Sequence, residues 1–112
     1  MLARFHRLNF RLQKDRDLFR FGKFQQEKNF QLAYDFKGEN FQFSVMVPKK
    51  IISSAAARNA LRRTITTALP REFVEFNNLR LAIKITSRDA TLLKQTDWKN
   101  FFDNLFKKLS VQ

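Results

Sequence analysis

Three short runs of strict two-residue alternation limit what this chain can fold into. In NFQLAYDF (29–36) the alternating apolar positions are Phe30, Leu32, Tyr34 and Phe36. In FQFSVMV (41–47) they are Phe41, Phe43, Val45 and Val47, and in LRLAIKIT (79–86) they are Leu79, Leu81, Ile83 and Ile85. Successive side chains of a strand point to opposite faces, so each run predicts a strand with one apolar face. KGEN (37–40) separates the first two runs and offers Gly38 for a positive φ, so the pair predicts a hairpin. Pro48 then ends the second strand or holds it at a sheet edge. Residues 24–28 can open an earlier strand.

Helical spacing fills the gaps between these runs. Ser53 or Ser54 suits an N-cap, and the helix that follows runs to about Leu69, before Pro70. From near Thr96, the residues Trp98, Phe101, Phe102, Leu105, Phe106 and Leu109 recur on one helical face, and Lys107 and Lys108 fall in the last turn, where the helix dipole favours cations. QKDRDLFRFGK (13–23) reads as a short helix that Gly22 closes as a left-handed cap. The expected class is α+β: a single two-layer domain over residues 1–112, in the order α-β-β-(β)-α-β-α, with helices covering the sheet.

Charge points to the partner. The chain carries a net +12, with +9 in residues 1–69 and +3 in the remainder. From Asn40 through Arg71 there are six basic residues and no acid. Such an excess attracts polyanions, and nucleic acid is the expected one. The segment AAARNALRRTI (55–65) concentrates the effect. At about 100° per residue, Arg58, Asn59, Arg62 and Arg63 form one face, with Leu61, Ile65, Ala57 and Ala68 opposite. Arginine forks match phosphate oxygens and asparagine adds a donor and an acceptor. Lys49 and Lys50 extend the patch, and the helix N-terminus adds a weak anion site. Intrahelical salt bridges cannot explain the cations, because no acid lies within the run.

Little in the chain suggests chemistry of its own. His6 is the one histidine and there is no cysteine, which fits a reducing compartment and an expected cytoplasmic location. Nucleophile elbow, paired carboxylates, phosphate loop and zinc spacing are missing. Asp15 and Asp17 read as first-turn helix acids rather than Mg²⁺ ligands. No catalytic residue and no metal ligand is therefore assigned. Apolar runs fall short of the roughly 20 residues that cross a bilayer, and MLARFHRLNFRLQK lacks the apolar core of a secretion signal. No membrane partner and no obligate protein partner is expected.

The segment FSVMVPKKIISSAAARNALRR resembles the signature of the bacterial ribonuclease P protein subunit. In that family a strand leads to a lysine pair, and an Arg-Asn-Arg run with a closing basic pair follows on a helix. Here the strand is Phe43 to Val47, the pair is Lys49-Lys50, the run opens at Arg58-Asn59, and Arg62 and Arg63 close it. Ala60 stands in place of the central arginine. RLQKDRDLFRFGK, LRLAIKITSR and the last amphipathic segment are similar to family elements with less specificity.

The resemblance implies a function. The protein would join a ribonucleoprotein endonuclease that hydrolyses one phosphodiester bond, removing the 5′ leader of precursor tRNA. The active site, with its Mg²⁺, would lie in the catalytic RNA. Arg58, Asn59, Arg62, Arg63, Lys49 and Lys50 would face that RNA, and the leader would lie between the sheet and the N-terminal helix. The 41–47 strand, the basic helix and the 79–86 strand would form a left-handed β-α-β crossover, against the usual right-handed rule. Single-stranded RNA favours rings beside cations, and Phe19 and Tyr34 are the cleft candidates. The competing reading is a non-catalytic binder of structured RNA, such as a ribosomal or assembly factor. Ala60 keeps that alternative open.

Overall fold

The computed structural model describes residues 17–111. Its elements are helix α1 (Leu18–Phe21), strands β1 (Lys23–Gln26), β2 (Phe30–Asp35) and β3 (Gln42–Met46), helix α2 (Ala55–Ala68), strand β4 (Arg80–Ile85) and helix α3 (Gln95–Ser110). Short 3₁₀ turns at Arg71–Glu75 and Arg88–Leu92 flank β4. The result is the expected α+β domain, including the extra strand ahead of the 29–36 run. Residues 13–16, the start of the 13–23 segment that predicted the first helix and including Asp15, lie outside the described residues together with His6.

The four strands form one sheet in the order β1-β2-β4-β3. β2 pairs antiparallel with β1 and β4, and β3 runs parallel to β4. The predicted hairpin between the 29–36 and 41–47 runs is therefore corrected, since β4 is inserted between them. The hairpin that does form joins β1 to β2, with Lys23 opposite Tyr34 and Gln26 opposite Gln31. Burial explains the exchange. Five of the six β4 residues are buried, and the sixth, Lys84, is half-buried. A strand covered on both faces belongs in the interior of a sheet, paired along both edges. Sequence neighbours often pair, but not always, and here the inserted strand is the one with the most buried residues. β3, α2 and β4 then make a parallel β-α-β crossover.

Two close contacts fasten the inserted strand. Arg80 and Asp35 stand opposite each other in the β4–β2 register. The Arg80 guanidinium donates from Nε to Asp35 Oδ1 at 2.8 Å and from Nη2 to Oδ2 at 2.5 Å. Beside them the loop after β2 passes over the start of β4, where the Gly38 amide donates to the Asn78 carbonyl at 2.9 Å. A Cβ on Gly38 would sit 2.9 Å from Arg80 Cγ, so glycine serves close approach there. Gly22 plays a similar part: its φ is −74°, and an added Cβ would meet the Leu18 carbonyl at 2.6 Å. Neither glycine adopts a positive φ, which corrects the left-handed cap expected at Gly22 and the turn expected at Gly38.

Burial pushes the Asp35 carboxyl up, but hydrogen bonds from Arg80 and the Lys37 amide, with the charges of both residues, outweigh it and hold the pKa below its ordinary 3.8. A depressed folded-state pKa stabilises the protein above the unfolded value, and that contribution is lost as pH falls through the folded value. Asp35→Asn is expected to lower stability at neutral pH and to flatten its decline below about pH 4. Urea unfolding across pH 2–7 checks this, and parallel curves for the two proteins would contradict it.

The sheet has unlike faces. Phe30, Leu32, Tyr34, Phe43, Leu81, Ile83 and Ile85 join the dry core with Leu61 and Ile65 of α2 and with Trp98, Phe102 and Leu105 of α3. Rings bridge the layers: Phe30 lies 4.8 Å from Trp98 and Phe43 lies 6.0 Å from Phe102 between centroids. On the other face the alanines Ala33 and Ala82 stand opposite each other, and their small side chains let Leu18 of α1 settle on the sheet. Phe19 packs at the margin of that second cluster.

Candidate nucleic-acid interface

The N-terminal end of α2 is built by the sequence around it. Pro48 ends the β3 extension, and its carbonyl accepts from the Ile51 and Ile52 amides at 3.0 and 3.1 Å. This turn projects Lys49 and Lys50, both exposed. Ile52 returns to the core at 7% exposure. Ser54 then caps α2, its Oγ accepting from the Ala57 amide at 3.2 Å. The helix contains no acid in its first turn.

The predicted helical phase holds. Leu61, Ile65 and Ala68 are buried, and Ala57 packs partly against the same core. Asn59 and Arg63 are exposed, while Arg58 and Arg62 are half-buried at the flanks. Arg62 Nη1 donates to Asn59 Oδ1 at 2.8 Å, so the asparagine orients that guanidinium without neutralising it. Arg58 Nη1 donates to two carbonyls, Ile52 O at 3.0 Å and Ser53 O at 2.8 Å. Among the described residues, none of Lys49, Lys50, Arg58, Arg62 and Arg63 forms an ion pair with a carboxylate. Five cations thus lie on the solvent side of α2, from its first turn to its middle, and on the turn that precedes it. Such a surface matches spaced phosphates. Ala60 is exposed beside them.

The two ring candidates part company. Phe19 is half-buried on the α1 side of the sheet. Tyr34 is 3% exposed in the dry core, on the opposite face, with its ring edge-on to Phe36 at 6.2 Å. One cleft cannot present both, so Tyr34 is corrected to a core residue. Sequence reasoning missed Phe24. It is 51% exposed and stands opposite Ala33, which puts it on the α1 side. A four-residue strand is too short for its alternation to be recognised. Phe21 is also exposed, with the Arg20 guanidinium 5.4 Å from its ring centre. Gln31, Ser44, Met46 and Lys84 continue this side across β2, β3 and β4, all half-buried. It is a polar floor with rings at one margin.

Among the described residues, no three His, Asp or Glu side chains are grouped to hold a metal ion, and no helix is long and apolar enough to cross a membrane.

A sequence model of the family described as Ribonuclease P matches residues 2–110. No curated protein matches the chain by sequence. The fold is similar to that of the RNase P protein of Staphylococcus aureus, with a TM-score of 0.66 at 15% identity, covering 93% of this chain and 94% of that one. It is also similar to the RNase P protein from Thermotoga maritima, with a TM-score of 0.66 at 18% identity, covering 92% and 96%.

Proposed function

The chain belongs to the ribonuclease P family, and from that premise we propose that the end of α2 and its lysine turn bind the catalytic RNA while the α1 side of the sheet receives the precursor tRNA leader. Membership makes the chain the protein component of an endoribonuclease ribonucleoprotein that processes tRNA 5′ ends. The observation that carries the assignment of faces is the cluster of cations without carboxylate partners at Lys49, Lys50, Arg58, Arg62 and Arg63, joined by Asn59. Phosphates attract such a cluster, and arginine forks fix its register on them. The leader assignment draws support from Phe19 and Phe24, whose rings border a floor that includes Lys84. Stacking tolerates any base, which suits a leader of varied sequence.

In this reading the whole chain, 1–112, acts as one RNA-binding domain in the cytoplasm. Mg²⁺ and the bond-breaking step belong to the RNA, and the protein orients substrate and screens phosphate charge. Reconstitution tests it. The protein, a bacterial-type ribonuclease P RNA and 5′-labelled precursor tRNA are combined at low Mg²⁺, with each macromolecule alone as control. Cleavage at the mature 5′ end is expected only when the RNA and protein are combined. Tight RNA binding without any stimulation, including with the RNA from the same source, would favour a non-catalytic RNA-binding protein.

A further inference from the structure

We infer that Arg58 is a positioning residue for RNA binding: its guanidinium clamps the turn carrying Lys49 and Lys50 to the first turn of α2. This rests on the reading of that end as the RNA face.

The hydrogen-bond pattern carries the inference. A helix start leaves backbone groups without partners in the helical ladder. Here the Ala57 amide is taken by Ser54 Oγ and the Arg58 amide by the Ser54 carbonyl at 3.0 Å. The Ser53 carbonyl therefore has no helical donor, and the Ile52 carbonyl precedes the helix. Arg58 Nη1 supplies both, at 2.8 and 3.0 Å. On the other side of Ile52, the Pro48 carbonyl holds the Ile51 and Ile52 amides. Lys49 and Lys50 are the residues enclosed by that turn. Arg58 thus ties the turn to the helix from one end, while burial of Ile52 anchors it from below.

The three arginines consequently divide the work. Arg63 has no side-chain partner among the described residues, and Arg62 contacts only Asn59. Arg63 keeps its whole fork for phosphate, and Arg62 keeps the donors that Asn59 does not take. Arg58 commits a terminal nitrogen to the backbone, and its effect on RNA passes largely through the lysines it places.

The test is a double-mutant cycle read by binding to a ribonuclease P RNA transcript across salt concentrations. Arg58→Met keeps the aliphatic stem and removes the donors. It is expected to weaken binding about tenfold and to reduce the slope of log affinity against log salt by more than the single contact, about 0.7–0.9, of one lost cation. In a Lys49→Ala/Lys50→Ala background the same change should cost less than about twofold, because the groups it places are gone. Arg63→Ala should cost the same in both backgrounds. If Arg58→Met costs an equal factor in both and removes one contact's worth of slope, Arg58 is a direct phosphate ligand and the inference fails. If neither Arg63→Ala nor the lysine pair changes affinity, the reading of the face fails and the inference falls with it. Circular dichroism of each variant accompanies the titrations, and Arg58→Lys replaces Arg58→Met should the latter not fold.

Discussion

Phe73→Ala is expected to lower stability by about 3–5 kcal/mol, the usual loss for a phenylalanine removed from a packed core. Phe73 lies on the 3₁₀ turn between α2 and β4 and has 0% exposure. Its ring meets four others: Phe41 at 6.2 Å, Phe76 at 6.0 Å, Phe102 at 6.1 Å and Phe106 at 5.4 Å. It joins the connection before β3 to α3 and to the segment that delivers β4. Aromatic pairs at these separations add to simple area burial, about 0.5–1.5 kcal/mol each. A domain of this size has a total stability of about 5–15 kcal/mol, so the loss would bring the protein near unfolding. Chemical denaturation should show a large fall in the urea midpoint, and the neighbouring exposed Val74, changed to alanine, should move it by no more than about 0.5 kcal/mol. Equal midpoints for Phe73→Ala and the unmodified protein would mean that the Phe73 ring does not hold the core together.

Removing Arg62 and Arg63 together should weaken RNA binding by about one and a half to three orders of magnitude while leaving the fold intact. Each is a charge-assisted donor, worth about 1–2 kcal/mol against phosphate. Neither supports the core. The one protein partner either has among the described residues is the exposed Asn59 side chain, so the double alanine variant strands no buried group. The log-log salt slope should fall by about 1.4–1.8, as two lost phosphate contacts require. Filter binding or fluorescence anisotropy at several salt concentrations measures both quantities, with a melting curve as control. An unchanged slope would mean that this face does not meet the RNA.

How far the sequence could be read differs from element to element. The phase of α2 was legible because one period of 3.6 sorted Leu61 and Ile65 from Arg62 and Arg63, and α3 was legible for the same reason. The strands were legible as strands, since alternation reports which faces are wet. Alternation does not report neighbours. The order β1-β2-β4-β3 depends on which strand is covered on both faces, and on one face that cover comes from α1, far away in sequence. Tyr34 shows the same gap: its alternation with Leu32 assigned it to an apolar face, yet a ring beside cations in sequence suggested a cleft. Only the sheet register separates it from Phe19. The clamp made by Arg58 was hidden because a charge pattern cannot tell a phosphate ligand from a carbonyl ligand. The Phe73 turn did leave a signal, since Phe73 and Phe76 after Pro70 have the three-residue spacing of a 3₁₀ turn.

The placement of β4 also fixes an order of events during synthesis. The strands on either side of it leave the ribosome first, and the pairing of Asp35 with Arg80 must close a separation of 45 residues. Contacts so distant along the chain are slow to form, because the loop entropy is lost before the contact returns anything. A nascent chain that stops short of residue 80 holds the arginines of α2 and the strand before them, but not the strand on which β2 and β3 both depend. The cationic helix gains its frame only once β4 has been made.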